Sequence, residues 1–234
     1  MPKRSIAAIA LMLSFLGMSA WAGDVASFVD LGFSADGSRY MFAQYGVDSP
    51  SLKPWAELFV VDVPRNDFVS GGRKSLMGTS SVVSGQDGSG AFYKLLSENA
   101  DIAAKHKVDF LRQSQPLYLA LDEGFPASGG KSSIEFRDFD KETSYIATLV
   151  PFVEGSGETL RSSFYISLER TQKDGTKKKY TVGTPDLKRE QVSAYRIRRA
   201  VVAPKDGSLI FVIELLKASK TGFDSRYMVE ALRP

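Results

Sequence analysis

The stretch Ser27-Phe28-Val29-Asp30-Leu31-Gly32-Phe33, Ser34-Ala35-Asp36-Gly37-Ser38, Arg39-Tyr40-Met41-Phe42-Ala43-Gln44-Tyr45 decides the fold class. Two strand-like runs flank an Asp-Gly pair, and glycine accepts the positive φ that a tight hairpin turn demands. Beyond a polar stretch with Pro50 and Pro54, Trp55-Ala56-Glu57-Leu58-Phe59-Val60-Val61-Asp62-Val63 reads as a third strand ended by Pro64. Together they make a three-stranded meander.

The C-terminus repeats the plan. Tyr195 to Val202 is strand-like, Ala203-Pro204-Lys205-Asp206-Gly207-Ser208 is turn chemistry, Leu209-Ile210-Phe211-Val212-Ile213-Glu214 is a strand, and Arg226 to Ala231 follows after a polar loop through Gly222. Asp36 precedes Phe59 by 23 residues and Asp206 precedes Met228 by 22, so the two ends read as copies of one supersecondary unit.

Between them, the Gly/Ser-rich stretch from Ser70-Gly71-Gly72 to Gly90 reads as loop. Ala91 to about Arg112 reads as one helix, with Phe92, Leu95, Leu96, Ala100 and Ala103 at helical spacings, Ser89 as N-cap and a break near His106-Lys107. Leu117 to Leu121 reads as a short buried strand, and Gly124 to Gly130 as loop. Ser133–Asp138, Thr143–Pro151, Ser162–Arg170 and Lys178–Val182 read as strands, the last two joined by an Asp174-Gly175 hairpin. The expected class is mainly β (α+β): two blade-like antiparallel meanders in a sandwich or partial-propeller arrangement, with one principal helix.

The N-terminus carries an export signature. Lys3 and Arg4 are basic, Ile6 to Met18 is an apolar run interrupted by Ser14 and Gly17, and Ala20-Trp21-Ala22 supplies the small residues of a cleavage site. The run is shorter than the roughly 20 residues a membrane-spanning helix needs. The expected organisation is therefore a signal peptide over 1–22, cut after Ala22, and a single exported β-rich domain over 23–234. No cysteine follows the apolar run to accept a lipid. Removing 22 of 234 residues leaves 212, and the 30 basic and 27 acidic residues become 28 and 27, a formal charge of +1. The pI near 8.9 thus overstates the basicity of the exported part, and nucleic acid is not an expected partner. With no cysteine there is no disulfide, no thiolate nucleophile and no Cys-ligated metal. No other segment is long and apolar enough to span a bilayer.

The motifs Gly32-Phe33-Ser34-x-Asp36-Gly37-Ser38-x-Tyr40, Leu58-Phe59-Val60-Val61-Asp62-Val63, Gly183-Thr184-Pro185-x-Leu187-Lys188-Arg189 and Tyr227-Met228-Val229-Glu230 resemble a bacterial family of predicted secreted proteins of unknown function. That resemblance implies export and supplies no catalytic residues. Phe33-Ser34-x-Asp36-Gly37-Ser38-x-Tyr40 with Leu58-Phe59-Val60-Val61-Asp62 is also similar to one blade of the β-propellers typified by the periplasmic protein B of the Tol system. A ring needs at least about four blades and two units are recognisable, so an open arrangement is expected.

Each catalytic pattern has a plainer explanation. Ser128-Gly129-Gly130-Lys131 with Lys220-Thr221-Gly222 has the spacing of penicillin-binding-protein signatures, but Ser128 precedes a strand where the mechanism needs a helix, and Ser97-Glu98-Asn99 comes before it in the chain. His106, the sole histidine, lies between Lys105 and Lys107, which suits a surface position near a helix end. Gln86-Asp87-Gly88-Ser89-Gly90 offers helix N-terminal amides to an anion but lacks the residues of a P-loop. Asp122, Glu123, Glu135, Asp138 and Asp140 are the acids available for glycoside hydrolysis, which needs two facing a cleft. Lys173, Lys177, Lys178 and Lys179 surround a hairpin tip, and on the next strand Arg196 and Arg198 share a face with Tyr195, Ile197 and Arg199 opposite. Lys177, Lys178, Lys179, Arg196 and Arg198 are the candidate binding patch. The expected function is an exported, non-enzymatic binding module of the cell envelope, its partner an envelope protein or glycan, with no cofactor. The alternative is a carboxylate-based, glycan-directed envelope hydrolase.

Overall fold

A computed structural model describes residues 23–121, 124–219 and 222–234. Residues 1–22, where the signal peptide is expected, Asp122-Glu123 and Lys220-Thr221 lie outside the described residues. Three of the four Asp-Gly pairs turn hairpins: β1 (Ser27–Ser34) into β2 (Arg39–Val47), β9 (Arg161–Thr171) into β10 (Lys177–Val182), and β12 (Val192–Val202) into β13 (Leu209–Ser219), whereas Asp87-Gly88 opens a helix. Gly37, Gly175 and Gly207 have φ of 73°, 82° and 74°. In each turn the aspartate accepts the N–H two residues on, from Ser38 (3.1 Å), Thr176 (2.9 Å) and Ser208 (3.0 Å). The side chain thereby replaces a backbone turn bond, which is why Asp-Gly carries so much signal.

Among the described residues the strands form three antiparallel sheets. The N sheet has the order β4 (Asp67–Met77), β3 (Pro54–Asp62), β2, β1, β5 (Val108–Asp109). The C sheet runs β14 (Gly222–Leu232), β13, β12, β6 (Gln115–Leu119). The inserted sheet runs β10, β9, β8 (Thr143–Glu154), β7 (Ser132–Asp138), with β11 (Arg189–Glu190) also on β9. Helices α1 (Ser89–Glu98) and α2 (Ala100–Lys105) cover the N sheet.

Side-chain alternation shows how the layers stack. Leu31, Met41, Ala43, Leu58 and Val60 meet Phe92, Leu95 and Ile102 of the helices. Phe33, Tyr40, Phe42, Phe59 and Val61 point the other way, onto Val201, Ile210, Val212 and Val229 of the C sheet. Leu209, Phe211, Ile213 and Leu215, the alternate residues of β13, meet Leu149, Phe164, Ile166 and Leu168 of the inserted sheet. The order is helices, N sheet, C sheet, inserted sheet. β13 is thus covered on both faces, and Leu209 to Leu215 are all buried. A strand so placed reads as a continuous apolar run, since neither face meets water. Each fully buried aliphatic or aromatic side chain contributes about 1.5–3 kcal/mol.

The mainly-β class and sandwich-like stacking hold, and the sheets of the described residues form no closed barrel. Several details differ from expectation. There are three sheets where two meanders are expected, because β7 to β10 form a third antiparallel unit whose first hairpin lacks an Asp-Gly pair. Part of the expected Gly/Ser loop is strand β4, whose Gly71 (φ 70°) and Gly72 sit where the register shifts between Phe59 and Val61 of β3. The helix breaks at Asn99, whose side-chain amide donates to the Leu95 carbonyl (2.9 Å), and it ends at His106, giving way to β5. The N-cap is Gly88; Ser89 is the first helical residue. β6 is a half-exposed edge strand whose Leu117 and Tyr118 are only partly buried, not a fully buried one.

The N-terminal and C-terminal meanders also interlock. A Cβ on Gly37 would stand 2.7 Å from the Asp206 Cγ, so the two Asp-Gly turns pack directly on one another at the same end of the stack.

Candidate functional site

The turn from β3 to β4 brings Asn66 into the left-handed region (φ 51°), a conformation asparagine tolerates better than most residues. Its side chain reaches the edge of the C sheet. The Asn66 Nδ2 donates to Glu230 Oε2 (2.5 Å), and the Ala231 N–H donates to Asn66 Oδ1 (2.5 Å). Glu230 alternates with Val229 and Ala231 on β14 and points away from the N sheet, so Asn66 wraps the edge to meet it. On the far side, Arg189 of β11 lies 3.8 Å from Glu230 Oε1 and stacks over the Phe164 ring at 5.0 Å. Gly183 (φ 98°) lets the chain pass beside the Glu230 carboxylate, where a Cβ would lie 3.4 Å from Cδ.

Asn66, Arg189 and Glu230 line a cleft of about 300 Å³ to which all three sheets contribute. Its walls are Val61, Phe68, Met228 and Leu187, with Arg65, Asp67 and Thr184 at the rim. Phe68 and Leu187 are about half exposed, at 44% and 54%. Glu230 is 5% exposed; burial pushes its carboxyl above the ordinary range, and the Asn66 amide and the Arg189 guanidinium pull it partly back. Both of its oxygens have a protein partner. Asp67, the other acid of the cleft, accepts the N–H of Phe68 (2.7 Å). The chemistry available is therefore recognition by an apolar wall beside a buried, compensated charge.

The candidate residues read from sequence are distributed elsewhere. Lys177 and Lys179 on edge strand β10 share Glu169 (3.0 and 3.7 Å), which lowers the Glu169 pKa through hydrogen bonding to Lys177 first; Lys178, between them, is exposed. Lys173 pairs with Glu142. Arg196 is on β12, an inner strand of the C sheet, bound to Glu214 through Nε (2.8 Å) and Nη2 (2.7 Å) and lying over the Phe125 ring. Arg198 donates to the carbonyls of Ala120 and Leu121 (2.8 Å for the latter). A register shift between Ile197 and Arg199 turns Arg199 onto the Arg196 face, over Phe28, where strict alternation puts it opposite. The lysines and the arginines thus belong to different sheets.

Glu135 is exposed and Asp138 buried on one strand, so they occupy opposite faces; Asp138 accepts the Lys141 N–H (3.0 Å) in its own hairpin turn. Asp140 bonds Gln115 at the surface, and Asp122 and Glu123 lie outside the described residues. Ser128 donates to the Ser193 carbonyl (3.0 Å); Lys220 and Thr221 lie outside the described residues. Asp87 takes the Ser89 N–H (3.0 Å) and hydroxyl, placing the chain's own carboxylate at the start of α1. His106 caps α2, with its pKa lowered by burial and then by Lys105 and Arg39. Among the described residues no three His, Asp or Glu side chains converge as a metal ligand set.

Asn66 and the cleft are not visible from the candidate patterns above. The available signal was an acid inside the apolar run Tyr227-Met228-Val229-Glu230-Ala231, and three of the four motifs that carry the family resemblance line this cleft. No curated protein and no solved structure matches the chain. A family model described as "Predicted secreted protein (DUF2259)" matches residues 41–233. With nearly all of the stacked sheets inside that match, the chain belongs to this family of predicted secreted proteins.

Proposed function

We propose that the chain is exported with cleavage after Ala22 and that residues 23–234 act as one domain, in the periplasm or outside the cell, as a non-enzymatic binding module for an envelope component. The cleft over Glu230 is the binding site. One observation carries this reading: exposed Phe68 and Leu187 stand beside an acid whose oxygens are both engaged by Asn66 and Arg189. An acid tied in this way orients neighbouring groups, and exposed apolar side chains at a concave site are the ordinary form of a recognition surface. A glycan-directed hydrolase is less well supported, since Glu135 and Asp138 do not face one another and both oxygens of Glu230 are engaged by Asn66 and Arg189.

Immobilised mature protein should capture a component of its own envelope fraction. Phe68→Ser with Leu187→Ser should cut that capture at least about tenfold, the loss expected from removing roughly 1.4 kcal/mol of apolar contact. Replacing Lys177, Lys178 and Lys179 by serine should leave it unchanged. Capture that survives the cleft variant and fails in the lysine variant would move the site to the basic hairpin; glycan turnover abolished by Glu230→Gln would make the protein a hydrolase.

A further inference from the structure

At the other end of β2 and β3, the first described residues form a strap along the C sheet. Val25 bridges Ser225 in parallel, the Ser225 N–H donates to the Asp24 carbonyl (2.8 Å) and the Ala26 N–H donates to the Ser225 carbonyl (3.1 Å). Gly23 lies so close to the Phe223 carbonyl that a side chain there would collide with it. Asp24 is turned inward and is 3% exposed. Its Oδ2 takes the Trp55 indole N–H (2.5 Å) and the Arg226 guanidinium (2.7 Å), which lies over the Trp55 ring. Its Oδ1 is buried with no partner. A buried carboxylate oxygen without a donor forfeits the hydrogen bonds it made in water, so a donor is expected at this position.

The surroundings state the chemistry of the missing group. Asp24 lines a cavity of about 440 Å³ with Gly23, Tyr45, Gly46, Gln86 and Asp87. Asp224 accepts the Asp24 N–H (3.1 Å) and lies 3.7 Å from Arg226, so one guanidinium serves two carboxylates. Lys217 stands across the ladder from Asp224 but is exposed. Asp48 lies near Trp55, and Glu57 is engaged by Arg73 and Gln44. The corner is one cation short.

We propose that this corner is an ammonium site and that its occupant is the chain's own α-amino group at Gly23, released when the leader is removed. The proposal rests on cleavage after Ala22. Hydrolysis of the Ala22–Gly23 peptide consumes one water and leaves the Ala22 carboxylate and the Gly23 amine, which carries a proton at neutral pH. An amide with one neutral N–H becomes an ammonium with three donors, one peptide unit from the Asp24 Cα. Glycine at this position leaves the backbone free to turn that nitrogen toward Oδ1. Processing would thus lock the strap onto β14, and the precursor would lack the lock until it has crossed the membrane.

The test compares two forms of the chain beginning at Gly23, one with a free α-amine and one N-acetylated, which removes the charge and keeps the amide of the precursor. The free form should unfold about 4 °C higher at pH 7, the shift expected for a partly buried ion pair in a chain of this size. In an Asp24→Asn background the two forms should unfold together, and the free amine of the wild type should titrate above the ordinary value of about 8. Equal unfolding of the two forms, a difference that persists in Asp24→Asn, or recovery of the acetylated form's stability on adding calcium would each overturn the ammonium assignment. N-terminal sequencing of the exported protein separately checks where the leader is cut, so a different cleavage site would be told apart from a failed lock.

Discussion

The N-terminal and C-terminal meanders, β1 to β3 and β12 to β14, are one plan used twice, and they differ in what covers them. Each has an Asp-Gly-Ser turn, and eight residues beyond each aspartate stands a buried polar side chain, Gln44 in one and Glu214 in the other. The two pack face to face through Phe33, Tyr40, Phe42, Ile210 and Val212, with their turns at the same end. Beyond this shared contact the N sheet receives short helices and the C sheet receives another sheet. Local turn chemistry is therefore common to both, while the cost of disturbing either depends on layers contributed from elsewhere in the chain.

The largest expected effect lies in the contact between the meanders. Phe42 is fully buried and stacks on Phe59 (4.7 Å) and Phe28 (5.5 Å). Phe42→Ala should cost about 3–5 kcal/mol, because the rings around it cannot all collapse into the space. Chemical denaturation should show this as a lower midpoint with an unchanged slope. Phe139→Ala, at a hairpin tip where the ring is 78% exposed, should leave the midpoint within error. If the two substitutions cost the same, the stacked-sheet core would be misplaced.

A smaller effect separates turns that look alike in sequence. Gly37 and Gly175 both take positive φ, and an L side chain in that region costs about 1–2 kcal/mol. Nothing lies within 4 Å of a Cβ on Gly175, whereas one on Gly37 would meet the Asp206 carboxylate at 2.7 Å. Gly175→Ala should therefore cost about 1 kcal/mol and Gly37→Ala about 2–3 kcal/mol, since only the second also pushes the meanders apart. Equal losses in thermal or chemical unfolding would break the claim that the N-terminal and C-terminal turns interlock.

That contrast also marks how far the sequence could be read. The Asp-Gly turns, the strands around them and the repeated plan depend on neighbours in the chain, and all were legible. The stacking of Gly37 on Asp206 joins residues 169 apart, and no local pattern encodes it. The inserted sheet escaped recognition as a unit because its β7–β8 hairpin is held by Asp138 capping a longer turn. Strand β4 was hidden by Gly71-Gly72, which the structure uses for a bulge. The face of Arg199 was misread for the same kind of reason, one extra residue in β12 reversing the alternation after Ile197. In the candidate site, Arg189 and Glu230 stood within recognisable motifs, but their meeting with Asn66 is set by the packing of three sheets.

The smallest effect concerns the position at which the meanders part most clearly. Arg39 pairs with Asp62 in one and Leu209 with Leu232 in the other, so Val60 and Glu230 occupy equivalent sites two residues back. Val60 lies fully buried under the helices; Glu230 is buried beneath the cleft. An acid where the same plan elsewhere places an aliphatic side chain is a departure expected at functional positions. Burial raises the folded-state pKa of Glu230, so the folded chain holds a proton more readily than the unfolded one, whose glutamate titrates near about 4.3. The penalty is absent below that value and reaches its full size once pH exceeds the folded pKa. Glu230→Gln keeps the shape and the Asn66 contact, and should raise stability at pH 7 by up to about 1 kcal/mol, an advantage that shrinks as pH falls toward 4. The same variant should weaken capture at the cleft. A variant less stable than wild type at pH 7 would mean that the Arg189 pairing outweighs burial, and that Glu230 holds the C sheet against the inserted sheet as a structural ion pair instead of serving the cleft.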